Sequence, residues 1–146
     1  MDSVDEKIIK ILQSDSRLSA RAIAKKMNIA PSTVLSRIKK LEEKKIIRDY
    51  TITLDYANLG YDVPVIIDVK VSKGKLFEVE NEIAKSKNVI AVYDVTGDFD
   101  VVVLAIFKTR KGLDQFIKKL QAYKYVERTN TKLILNTIKD SSTIKI

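Results

Sequence analysis

The chain has 146 residues, with 27 Lys+Arg against 19 Asp+Glu and no His, Cys or Trp, a length that holds one ordinary domain or two small ones. Without cysteine there is no disulfide scaffold, thiolate metal site or cysteine nucleophile, and without histidine zinc hydrolysis and Ser-His-Asp chemistry are excluded. Carboxylate-bound magnesium and Lys or Tyr chemistry stay open, while a net charge of +8 suggests a polyanion partner.

Helical patterns fill residues 1–50. Val4, Ile8, Ile11 and Leu12 recur at i, i+4, i+7 and i+8 as one apolar stripe, with Asp2 or Ser3 placed to cap its start. Ser19 is a good N-cap for a second helix, Ala20 to Met27, where Ile23 and Met27 face inward and Ala24 permits close approach. Asn28 tolerates the left-handed conformation that ends a helix, and Pro31 suits the first position of a third. That third helix reaches about Lys44, with Val34, Ile38 and Leu41 as its buried stripe. From Ile46 to Leu54 the pattern turns to β-branched alternation and reads as a strand leaving the helices, followed by a linker that turns at Gly60.

Between Ser16 and Leu41 stand Arg17, Arg21, Lys25, Lys26, Arg37, Lys39 and Lys40, with no acidic residue among them. Helix, short turn and second helix with a polar outer face are the parts of a helix-turn-helix, whose later helix enters the major groove of DNA. On that reading Ser32, Thr33, Ser36 and Arg37 meet base edges, Arg37 bridging guanine O6 and N7. Lys25, Lys26, Lys39 and Lys40 then contact phosphates and set orientation. The plainer alternative is a three-helix bundle with a solvated basic face.

The second half alternates strands and helices. Val65–Val71 reads as a strand, Leu76, Val79 and Ile83 mark a helix, and Val89 to Val95 is a strand. Val101–Phe107 is another strand, Leu113, Phe116, Ile117 and Leu120 mark a second helix, and Val126 to Ile138 is a last long strand. The order is βαββαβ, the ferredoxin-like arrangement, with both helices on one face of an antiparallel sheet. Yet Val101–Phe107 is apolar throughout, as in a strand buried on both faces. The uncovered face therefore predicts a dimer or higher oligomer built sheet against sheet, which would also pair two DNA-reading heads. In the hairpin Thr96-Gly97-Asp98-Phe99-Asp100, glycine lets backbone N–H groups approach a carboxylate while Asp98 or Asp100 receives an ammonium, a set suited to an α-amino acid. The same residues also make an ordinary turn, or offer two carboxylates to magnesium.

In this order and spacing the residues resemble the Lrp/AsnC family of transcription regulators. The resemblance covers Val4 to Lys139: Asp15-Ser16-Arg17-Leu18-Ser19, Ala30-Pro31-Ser32-Thr33-Val34, Arg37-Ile38-Lys39-Lys40-Leu41-Glu42, the strand Ile47-Arg48-Asp49-Tyr50-Thr51, Leu59-Gly60-Tyr61, the Gly-Asp-aromatic-Asp turn at 97–100, and Arg128-Thr129-Asn130-Thr131. It implies an α+β fold, a winged helix-turn-helix head joined to a ferredoxin-like βαββαβ domain, with dimers that often assemble into octamers. It further implies control by an amino acid or related metabolite, seated between subunits at Thr96, Gly97, Asp98, Asp100, Thr129 and Thr131. Lys45 is a departure, standing where the family commonly has glycine. A left-handed lysine there costs about 1 kcal/mol, unless the helix ends otherwise.

The expected division is residues 1–50 as DNA-binding head, 51–63 as linker strand and hinge, and 64–146 as effector-binding and oligomerisation domain. The expected partners are double-stranded DNA, further copies of the chain and an amino-acid effector, with no resident cofactor, metal or catalytic residue. No apolar run approaches the ~20 residues of a membrane helix, and the acidic start does not resemble a secretory signal, so the expected place is the cytoplasm. Two other readings remain. One is a decarboxylase acting on sirohaem-type tetrapyrroles, with Arg110, Arg128 and Lys132 holding the anion but no histidine to serve it. The other is an effector-independent module for RNA or protein, whose head offers Tyr50 as its sole aromatic for stacking.

Overall fold

Asp2 begins the first helix, α1 (Ser3–Ser14), by accepting hydrogen bonds from the Val4 and Asp5 backbone N–H groups, both at 3.0 Å. The Asp5 carboxylate answers by accepting from the Asp2 N–H at 3.0 Å, which completes a capping box. This computed structural model describes residues 1–141 and 144; residues 142–143 and 145–146, the end of the expected 64–146 domain, lie outside the described residues.

Helix α2 (Ala20–Met27) starts at the Ser19 hydroxyl, which accepts from Ala22 N–H at 3.2 Å, and stops at Asn28 in the left-handed region at φ 53°. Helix α3 (Pro31–Glu43) carries proline in its first turn, as its missing N–H allows. Ile8, Ile9, Ile23, Ala24, Val34 and Leu41 form the core of this head, with Val4, Ile11, Leu12, Met27 and Ile38 packed around it. The expected strand over 46–54 is not formed. A strand needs a ladder partner for its N–H and C=O groups, and no strand pairs with it among the described residues. Ile52 is therefore 75% exposed, and Tyr50 and Leu54 are exposed beside it.

The second unit is a four-stranded antiparallel sheet of β1 (Val63–Val71), β2 (Val89–Asp94), β3 (Val101–Phe107) and β4 (Val126–Leu133), in the order β2-β3-β1-β4. Helices α4 (Leu76–Ala84) and α5 (Arg110–Gln121) cover one face. That face holds Val65, Ile67 and Val69 of β1 with Val101, Val103 and Ala105 of β3, packed against Val79, Ile83 and Leu120. The order and the one-sided cover are those of the ferredoxin-like fold. On the other face Val102, Leu104 and Ile106 of β3 are half-buried rather than buried, so within one chain β3 is sealed on one side. Strand β4 stops at Leu133, short of the expected Ile138, because β1 begins at Val63 and the last available bond is Ile134 N–H to the Pro64 carbonyl at 3.0 Å. Beyond it Leu135 and Ile138 are exposed.

The chain divides into two compact units, Met1–Thr53 with Lys139–Ile146, and Leu54–Ile138. None of the helices among the described residues is long and apolar enough to cross a membrane.

Candidate nucleic-acid interface and ligand hairpin

The buried stripe of α3 is Val34, Ile38 and Leu41, so Ser32, Ser36 and Lys39 lie on the opposite side, with Leu35 at its border towards Ile38. All four are exposed, as are Thr33 and Lys40 on one flank. Lys25 and Lys26 are exposed in the last turn of α2. Lys39 stands 3.9 Å from Glu43, a loose surface pair one helical turn away.

Arg37 departs from its expected role. Its guanidinium donates to Asp2 Oδ2 at 2.6 Å and to Asp5 Oδ1 at 3.2 Å, tying α3 to the capping box of α1. The side chain, 32% exposed, thus turns its guanidinium towards α1. The physical reason is angular: position 37 sits next to the buried stripe, on the side where α1 packs. Asp5 is itself buried, at 8% exposure, and needs a cation there. The Asp5 backbone N–H, and then the Arg37 side chain, hold the Asp2 carboxyl below its usual pKa.

In the hairpin between β2 and β3, Gly97 has φ 122° with open space where a Cβ would stand, so the backbone conformation alone demands glycine. Thr96 and Asp98 are exposed. Asp100 is already engaged within its own chain. Its carboxylate accepts from Val71 N–H at 2.9 Å and from Lys70 Nζ at 3.2 Å, while its own N–H donates to the Val69 carbonyl at 3.1 Å. It thus continues the β1–β3 ladder past its last pair, Val69 with Val101. The Val71 N–H above all, with Lys70, lowers the Asp100 pKa.

The six expected effector residues are not gathered on one surface. Thr129 and Thr131 pair with Val69 and Ile67, so they lie on the helix side of edge strand β4. The Thr129 hydroxyl accepts from Gln121 Nε2 of α5 at 2.9 Å. The open side of β4 instead carries Arg128, Asn130 and Lys132. Arg128 lies 4.6 Å from the centre of the Phe99 ring, a cation–π contact that joins the hairpin to β4. Lys132 Nζ and Asn130 Nδ2 donate to the buried Asp68 at 2.6 and 3.0 Å. Phe99, Lys70, Asp68 and Asn130 thus belong to the hairpin end without having been expected there. The period-2 pairing of β4 against β1 is the signal that would have found them, but it depends on register.

Among the described residues two clefts stand out, and their linings do not include a hairpin residue. One of about 320 Å³ lies between α4 and α5, lined by Ile83, Phe116, Leu120 and Tyr123 with Lys87 and Lys119 at its rim. The other, about 220 Å³, borders Asp2, Arg37 and Lys44 in the head.

Comparison with known proteins now bears on both units. Residues 1–48 match a model described as winged helix-turn-helix DNA-binding, and residues 64–144 match the Lrp/AsnC ligand binding domain. An HTH-type transcriptional regulator of Pyrococcus abyssi is 46% identical over 140 residues, covering 96% of this chain and 95% of the relative. Among solved structures, Escherichia coli AsnC superposes with a TM-score of 0.93 at 24% identity, covering 100% of this chain and 99% of the other. A Neisseria meningitidis transcriptional regulator, solved as its L-Met complex, superposes with a TM-score of 0.90 at 24% identity over 99% and 96% of the two chains. A basic head built as a helix-turn-helix, a one-sided four-stranded sheet and matches across both units carry one conclusion: the chain belongs to the Lrp/AsnC family and is a DNA-binding transcriptional regulator.

Proposed function

We propose that this regulator acts in the cytoplasm as a symmetric dimer or octamer, reads double-stranded DNA through α3, and changes its assembly or DNA affinity on binding an amino acid. One observation carries the DNA-reading surface: the outward stripe of α3 is exposed and polar but for Leu35, in a stretch, Ser16 to Leu41, without an acidic residue. Ser32, Thr33 and Ser36 are the hydroxyls at base edges, and Lys25, Lys26, Lys39 and Lys40 take phosphates. Arg37 serves instead to position α3.

Assembly rests on the open sheet face, whose β3 side chains Val102, Leu104 and Ile106 are only half covered by their own chain. The L-Met complex of the Neisseria relative supports an amino-acid effector. At the hairpin end Asp98 offers an anion for an ammonium, and the exposed Arg128 offers a guanidinium for a carboxylate. Since Thr96 and Asp98 are exposed on a single chain, the site takes its remaining wall from a second copy. Effector and DNA must then be coupled reciprocally, each altering the other's affinity by the same factor. We read the chain as a regulator without catalytic activity: Arg110 starts α5 on the helix side, whereas Arg128 and Lys132 lie on the opposite face, so the three cations form no anion cradle.

The test is a duplex titration at fixed salt against random competitor, repeated with a panel of amino acids and paired with sedimentation. An amino acid that shifts either particle size or specific affinity is the expected result. If none of the panel moves either quantity, the effector reading fails while DNA binding stands.

A further inference from the structure

The geometry points to Leu35 as the residue that discriminates sequence, by apolar contact with the 5-methyl group of a thymine in the major groove. This deepens the reading of α3 as the DNA-facing helix and rests on it. Leu35 is 59% exposed, and it lies about 100° round α3 from the buried Val34, at the border of the outward side that carries Ser32, Ser36 and Lys39. Beside it on the outward side stand hydroxyls and an ammonium, and on its other side Ile38, which packs against the core of the head.

What remains for base reading narrows the choice. Helix α3 has no Asn or Gln, so the paired hydrogen bonds that select adenine are unavailable from it. Its one arginine is bound to Asp2 and Asp5. Serine and threonine hydroxyls donate or accept to any base and discriminate little. Lys39 lies two turns beyond Ser32, towards the end of the helix that leaves the groove. The N-terminal half of the helix is left with Leu35 and the smaller Thr33 methyl as groups that can tell one base pair from another, and Leu35 offers the larger apolar surface. A leucine does so through the thymine methyl, which the other natural DNA bases lack.

The experiment begins with full-length protein and duplexes selected from a random-sequence pool. In a tightly bound duplex each thymine is replaced in turn by deoxyuridine, which removes one methyl and leaves every hydrogen-bonding group in place. Wild type should lose about fourfold in affinity at one position per half-site, the worth of one buried methyl. Leu35→Ala should bind the thymine and uracil duplexes alike, and Leu35→Met, which keeps an apolar tip, should still distinguish them. Uracil tolerated by wild type at every position overturns the proposal, as does an undiminished loss in Leu35→Ala. Failure to enrich any duplex from the pool would overturn the DNA reading of α3 itself, and is distinct from tight binding that ignores the methyl.

Discussion

Lys45 holds φ 55°, and this lets the N–H groups of Ile46 and Ile47 turn back to the Leu41 carbonyl at 2.9 and 3.2 Å. A side chain in the left-handed region is strained, and glycine relieves that strain at some cost in unfolded-chain entropy. Lys45→Gly should therefore stabilise the head by up to about 1 kcal/mol in a denaturant titration. Unchanged stability would mean the lysine is unstrained. Asp100 gives a second prediction. Its pKa is lowered in the fold, so its contribution is complete above the ordinary carboxylate range and is lost as pH falls through the lowered value. Unfolding followed from pH 5 towards pH 2 should show this loss in the wild type, and a flatter profile in Asp100→Asn.

At the scale of elements, the ion pairs of Arg37 with Asp2 and Asp5 tie α3 to α1. Removing Arg37 leaves the buried Asp5 without its cation, which disfavours the native packing of the two helices. Arg37→Ala should lower the thermal stability of the head and weaken specific and random duplexes by the same factor. A loss confined to one base pair of the operator would restore Arg37 as a guanine reader. The ends of elements follow the same logic of partners: β4 ends where β1 has no further residue to offer, and residues 46–54 have strand-like composition but no neighbouring strand.

For the molecule as a whole, the open sheet face is uneven. Leu104, Val102 and Ile106 form an apolar half, and the other carries Arg128 together with Asn130 and Lys132, which hold the buried Asp68. Two such faces meeting about a two-fold axis would bury the apolar half and fix the register by the charges. Leu104→Asp places an unpaired charge in the middle of that apolar half, so sedimentation should find 16.6 kDa particles where the wild type is larger. Assembly undisturbed by this change would place the interface elsewhere.

Much of the fold was legible along the chain because it depends on local rules. Ser19, Asn28 and Pro31 bound their helices by capping chemistry that acts within a few residues, and the 3.6- and 2-residue periods marked the buried sides. The hairpin glycine and the basic stretch of the head were equally plain. Three matters were decided only by tertiary structure. Arg37 turned to α1 because a carboxylate 32 residues away in sequence is its neighbour in space. Thr129 and Thr131 fell on the helix side, away from Arg128, because side-chain direction in β4 follows from its register on β1. That Leu35 remains 59% exposed while Ile38, one turn on, packs against the core was set by the packing of the head. Periodicity and capping are properties of neighbouring residues, whereas facing, pairing and engagement belong to contacts between segments distant in sequence.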